Sequence, residues 1–171
     1  MEKNLNKTDR TVDHRLLDTA HFELIEFFPY LVRVYYRSVS EAVSRIYSER
    51  YGLTTSEWRT MAVLGPITTL SASEIVERSS MDKVNVSRAI KGLQQAGFLR
   101  RDIDGQDKRR AVLRLTEKGS EAFAVLSPLV KQVEEDLLVG LSKQERTTLL
   151  SLMERVRSNA KTLGCLNNSC K

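Results

Sequence analysis

Between Leu53 and Thr116 the hydrophobic period of this chain switches from helical to alternating, which constrains its fold more than any other feature. Thr54-Thr55-Ser56-Glu57 has the spacing of a capping box, with Leu53 and Trp58 placed to staple the helix it opens. That helix runs through Met61, Ala62 and Leu64 and ends before Gly65-Pro66. Ser71-Ala72-Ser73-Glu74 repeats the arrangement, with Leu70 and Ile75 as the staple, and its short helix ends near Ser79-Ser80. A third helix begins around Asp82, carries Val86, Ala89, Ile90 and Leu93 inward, and stops at Gly97. The period then changes. Phe98–Ile103 reads as a strand, Asp104-Gly105 as a turn, and Ala111–Leu115 as a returning strand. Three short helices followed by a two-stranded hairpin make a helix-turn-helix region with a wing.

Long apolar stripes flank this module. From Leu16 to Tyr51 the chain reads as one long helix, with Ile25, Phe28, Val32, Tyr35, Val39, Val43 and Ile46 on one face. Pro29 interrupts it and marks a kink or a fresh start. On the other side Thr116 caps a helix bearing Phe123, Leu126, Val130, Val133 and Leu137. Ser142-Lys143-Gln144-Glu145 is a third capping-box spacing, opening a helix with Leu149, Leu152, Val156 and Leu163 on one face. These stripes exceed what a small domain needs to cover itself, so they are predicted to form a two-fold dimerisation layer. The expected organisation is a flexible arm at 1–13, dimerisation helices at 14–52 and 116–164, a winged helix-turn-helix at 53–115, and a tail at 165–171. The fold class is mostly α with a small β-hairpin.

Composition supports this frame: 41 % hydrophobic, 29 % charged and only 6 % aromatic residues, with three prolines, fit a mostly helical globular protein. A net charge of +5 suggests an anionic partner without naming one. No apolar run of 18 residues is present, and MEKNLNKTDRTVDH lacks the apolar core of a signal peptide. The expectation is a cytoplasmic protein with no membrane partner.

The chemistry points to DNA. With Val86, Ala89, Ile90 and Leu93 inward, Asn85, Ser87, Arg88 and Lys91 face outward, with Lys83 in the first turn beside them. Amide and guanidinium groups offer bidentate fits to adenine and guanine edges in the major groove. The alternative for such a face in isolation is a merely solvated surface. The wing shifts the balance: Arg100, Arg101, Lys108, Arg109, Arg110 and Arg114 stand against Asp102, Asp104 and Asp107. A basic hairpin beside a helix-turn-helix lets an arginine enter the minor groove, where the potential is most negative.

Enzyme motifs are missing from the sequence: no HExxH, paired CxxC, nucleophile elbow or glycine-rich phosphate loop occurs. No enzymatic activity, cofactor or metal is expected. His14 and His21 are too few for a metal site, and His21 reads as a structural histidine. Cys165 and Cys170 sit together near the C-terminus and read as tail thiols, a redox-sensing role being the alternative.

From Phe28 to Leu163 the chain resembles the MarR family of bacterial regulators. The resemblance is most specific at Asp104-Gly105-Gln106-Asp107-Lys108-Arg109-Arg110 and Leu113-Arg114-Leu115-Thr116-Glu117-Lys118-Gly119, where the family carries Asp-x-Arg and then Leu-Thr-x-x-Gly. Leu70–Val76 and Met81–Arg88 also resemble the family's two helix-turn-helix helices. The resemblance implies that Arg109 enters the minor groove and that Asp107 holds it. Gln106 departs from the arginine many members carry. It further implies a small aromatic acid, or its thioester, as effector, bound between the dimerisation layer and the reading head. Tyr35, Tyr36, Arg37, Ser40, Trp58, Arg59 and Met61 are candidates to line that site, Arg37 or Arg59 pairing the carboxylate. The implied function is a homodimeric regulator, a repressor, that binds a palindromic DNA operator and is released by its effector. The reading from another class is a winged-helix module that binds a protein partner.

Overall fold

The computed structural model describes residues 22–65, 67, 69–103 and 111–168. Among these stand six α-helices and one hairpin: α1 (Phe28–Tyr51), α2 (Thr55–Leu64), α3 (Ala72–Ser79), α4 (Lys83–Gln95), β1 (Leu99–Ile103), β2 (Ala111–Leu115), α5 (Glu117–Leu137) and α6 (Lys143–Asn168). The chain divides into two units, residues 1–38 and 39–171.

The first unit holds the start of α1. A 3-10 turn at Leu24–Glu26 precedes it, and Phe27 is extended, so the single helix expected from Leu16 is not formed across this stretch. The apolar period continues through Ile25 and Phe28, but the backbone does not follow it. Pro29 has no N–H to donate and fits a first turn without loss, because donors there lack intrahelical partners anyway. The helix therefore starts afresh at Phe28, with Phe27 O accepting the first bonds from Tyr30 and Leu31. Phe22 and Phe27 meet edge to face. Phe28, Val32, Tyr35 and Tyr36 stay about half exposed.

In the second unit, each predicted start signal closes as a cap. Thr54 and Glu57 form a reciprocal capping box on α2, and Ser71 and Glu74 form one on α3. Ser142 and Glu145 do the same on α6. Each box satisfies orphan donors at a helix start and places a carboxylate at the positive end of the dipole. Gly52 and Gly97 end α1 and α4 at positive φ, the left-handed geometry that glycine adopts without a Cβ penalty.

The three short helices and the hairpin share one core of Leu53, Trp58, Met61, Leu64, Leu70, Ile75, Val86, Leu93, Phe98, Leu99 and Leu113, closed by Tyr47 and by Ala122 and Leu126 of α5. β1 and β2 pair antiparallel with Leu99 opposite Leu115 and Arg101 opposite Leu113. Leu70 exchanges both backbone hydrogen bonds with Leu113, tying the segment before α3 to the hairpin. The turn from α3 to α4 passes through Ser80 in the left-handed conformation. This is a winged helix-turn-helix.

Helix α6 differs from the rest. None of its described side chains is buried, and Leu150, Leu152, Met153, Val156 and Leu163 are between 42 % and 66 % exposed. No helix among the described residues is long and apolar enough to cross a membrane.

Candidate nucleic-acid interface

Helix α4 is held by its inner face and its N-terminus. Val86, Ala89 and Leu93 are buried and Ile90 is half-buried, so the opposite face is fixed outward by the 3.6-residue period. Lys83, Asn85, Ser87, Arg88 and Lys91 are all exposed there. No acidic residue lies between Lys83 and Gln95, so this face is positive.

The cap of α4 reaches into the reading face. Asn85 N donates to Asp82 Oδ1 at 2.8 Å, and Asn85 Nδ2 donates to Asp82 Oδ2 at 2.6 Å. The backbone bond from Asn85 above all, supported by its side-chain amide, holds the Asp82 carboxyl below its ordinary value. One amide proton of Asn85 is thus committed to the cap. The second proton and the carbonyl oxygen remain as the donor–acceptor pair that suits adenine.

Val84, absent from the sequence candidates, is 57 % exposed beside Lys83. The helical period locates it, since it falls opposite Val86. An aliphatic group there suits a thymine methyl.

On the hairpin, strand alternation separates adjacent arginines. Arg100 and Asp102 project to one side, and Arg114, the register partner of Arg100, joins them there. Asp102 Oδ2 lies 3.3 Å from Arg100 Nε and 2.8 Å from Arg114 Nε, the latter an ion pair not aligned as a hydrogen bond. Partly exposed pairs of this kind contribute at most about 1 kcal/mol each. Arg101 projects to the other side, towards α4. It lines an open groove of about 410 Å³ between α3, α4 and the hairpin, with Val76, Lys83, Val86, Ser87 and Leu113. Sequence alone does not set Arg101 apart from Arg100, because their separation depends on strand register. Asp107, Lys108, Arg109 and Arg110 lie outside the described residues, as do His14, His21 and Cys170. Cys165 falls on the last turns of α6.

The residues considered for an effector are dispersed in character. Trp58 and Met61 belong to the core. The Trp58 ring stacks with Tyr47, at 5.7 Å, and with Phe123, at 6.1 Å. Tyr47 in turn donates its hydroxyl to Thr55 Oγ1. Arg59 and Ser40 are half-buried, while Tyr35, Tyr36 and Arg37, in the first unit, are exposed.

The sequence profile of the MarR family matches residues 51–110, which run from the end of α1 through the helix-turn-helix and β1. The HTH-type transcriptional regulator PecS of Dickeya dadantii is 30 % identical over 128 residues, covering 71 % of this chain and 74 % of PecS. Among solved structures, the Bordetella bronchiseptica regulator BpsR, whose DNA binding is regulated by 6-hydroxynicotinic acid, matches with a TM-score of 0.72 at 20 % identity. That match covers 80 % of this chain and 97 % of BpsR. MepR of Staphylococcus aureus, solved in complex with DNA, matches with a TM-score of 0.71 at 20 % identity over 78 % of this chain and 98 % of MepR.

Proposed function

The chain belongs to the MarR family of DNA-binding transcriptional regulators, and from that premise we propose that it is a homodimeric repressor released from a palindromic operator by a small aromatic acid. The observation that carries the DNA-reading part is the outward face of α4. Lys83, Asn85, Ser87, Arg88 and Lys91 share one exposed surface over a buried Val86, Ala89 and Leu93, its one neighbouring carboxylate being the Asp82 cap that Asn85 holds. A helix so fixed enters a major groove as a rigid body, with Asn85 and Arg88 reading base edges and the lysines holding phosphates. In a two-fold dimer, two such helices meet successive major grooves about 10 base pairs apart. Arg109, aimed by Asp107, enters the adjoining minor groove, with Lys108 and Arg110 adding phosphate contacts. Residues 53–115 form the reading module, and the helices within 14–52 and 116–164 form the dimer layer.

Arg88→Ala and Asn85→Ala are each expected to cost about 1–3 kcal/mol on the cognate site and to blur discrimination at particular bases. Arg109→Ala weakens binding to every duplex with little change in that discrimination. Affinities for cognate and scrambled duplexes separate the two patterns. A protein that binds both duplexes equally, before and after Arg88→Ala, does not read bases through α4.

The effector part is supported by BpsR, whose DNA binding responds to 6-hydroxynicotinic acid. For this chain an aromatic carboxylate or its thioester is expected to bind near Ser40, Trp58, Arg59 and Met61. Trp58 is the only tryptophan, and it is 9 % exposed within the stack of Tyr47 and Phe123. A ligand that disturbs this stack changes its emission, and the same ligand lowers operator affinity. Compounds of this class that alter neither signal would show that the effector is of another kind.

A further inference from the structure

We propose that the groove between α4 and the hairpin seats the DNA sugar-phosphate strand, gripped by Arg101 from β1 and Lys83 from α4. The inference rests on the DNA-binding reading above and adds to it the groove and Arg101, a residue that reading does not use. A helix lying in a major groove and a hairpin in the neighbouring minor groove must straddle the one backbone strand that separates those grooves. In this protein the space between the two elements is an open groove of about 410 Å³. Val76, Val86 and Leu113 line it with aliphatic surface, while Lys83, Ser87 and Arg101 supply two cations and a hydroxyl. A strand that alternates charged phosphate with apolar deoxyribose matches such a lining.

Charge sorting on the hairpin singles out Arg101. Arg100 and Arg114 share Asp102 on the opposite side, so a phosphate approaching either must compete with a carboxylate already in place. Arg101 makes no ion pair with the described residues and projects beside Leu113, its partner across the strands. An exposed guanidinium binds a phosphate through paired, charge-assisted hydrogen bonds. Ser87, one helical turn on from Lys83, can donate its hydroxyl to the same strand.

Adjacent residues of equal charge provide the test. Arg101→Gln and Arg100→Gln are compared in the intact protein by equilibrium binding across a salt series. Two duplexes serve as probes, one selected by the wild type from a randomised pool about two helical turns long and one with that sequence shuffled. Arg101→Gln is expected to weaken both duplexes by one common factor, about tenfold, and to reduce the slope of log affinity against log salt by about 0.9 for each phosphate it no longer neutralises. Lys83→Gln should reproduce this pattern. Arg100→Gln should change affinity by less than about threefold, because its charge is already offset by Asp102. Equal losses in Arg101→Gln and Arg100→Gln overturn the proposal, as does an Arg101→Gln protein that loses its preference for the selected duplex. A wild type whose binding is insensitive to both salt and sequence overturns the DNA reading itself, and this proposal with it.

Discussion

Gly119→Ala is expected to destabilise the protein by roughly 2 kcal/mol net, the reverse of what helix propensity alone predicts. Gly119 stands in the first turn of α5, where alanine is ordinarily favoured over glycine by about 1 kcal/mol. A Cβ built there would lie 2.0 Å from the backbone oxygen of Phe98. That oxygen cannot swing aside as a side chain could. It accepts a hydrogen bond from Thr116 N at 3.0 Å, and the N–H of Phe98 donates to Leu93 O at 2.9 Å. Thr116 Oγ1 donates to Gly97 O at 2.7 Å and accepts from Gly119 N at 3.0 Å. Lys118 adds a bond to Ala96 O and lies over the Phe98 ring. The end of α4, the start of β1 and the start of α5 are thus locked at one point. Overpacking of this kind costs about 1–3 kcal/mol and occasionally more, which outweighs the propensity gain. Urea unfolding of Gly119→Ala beside Ser120→Ala, at an exposed neighbouring position, isolates the effect. A Gly119→Ala protein as stable as the wild type would falsify this account. Because the lock sets the base of the hairpin against α4, DNA affinity is expected to fall in parallel.

The Leu-Thr-x-x-Gly pattern was plain in the sequence, but its reason was not, since the close approach of Phe98 O is a long-range contact. The same division runs through the chain. Local signals were legible: the Ser or Thr and Glu pairs that open α2, α3 and α6 form their boxes whatever packs around them. Alternation located β1 and β2, and the period of Val86, Ala89 and Leu93 was enough to turn Arg88 and Lys91 outward. What failed or stayed hidden depends on partners far along the chain or on the backbone. The stripe through Ile25 and Phe28 ran on from Leu16, but Pro29 marked a kink or a fresh start, and it is the fresh start, with the 3-10 turn before it, that the backbone takes. Trp58 has the character of a ligand-binding ring, but it is 9 % exposed and stacks with Tyr47 and Phe123 from other helices. Arg100 and Arg101 are indistinguishable as letters, and only the register that brings Arg114 to Asp102 tells them apart.

Leu152→Asp is expected to leave a folded subunit that no longer dimerises and has lost operator affinity by roughly two orders of magnitude or more. The sequence placed Leu149, Leu152 and Val156 on one stripe, and in the subunit that stripe is uncovered. Leu152 is 48 % exposed and Val156 42 %. A charge at such a position costs an isolated subunit at most about 0.5 kcal/mol, as surface substitutions do. None of the core around Leu64, Ile75 and Leu93 depends on it. In a two-fold dimer each subunit presents the same patch, so one substitution enters the interface twice. An unpartnered carboxylate buried there costs about 3–5 kcal/mol, and two of them exceed what a dimer of ordinary strength can absorb. The aspartates also repel each other across the axis. Loss of the dimer uncouples the two reading heads, so each must bind its half-site alone and the gain from linked binding disappears. Sedimentation at micromolar concentration, helical circular dichroism and operator affinity together distinguish the outcomes. Retained helicity with a halved mass and weak operator binding is the expected combination, while Leu152→Met, which conserves volume and apolarity, should remain dimeric. A wild type that sediments as a monomer, or a Leu152→Asp protein that stays dimeric and binds its operator normally, would mean that α6 is not the dimer surface.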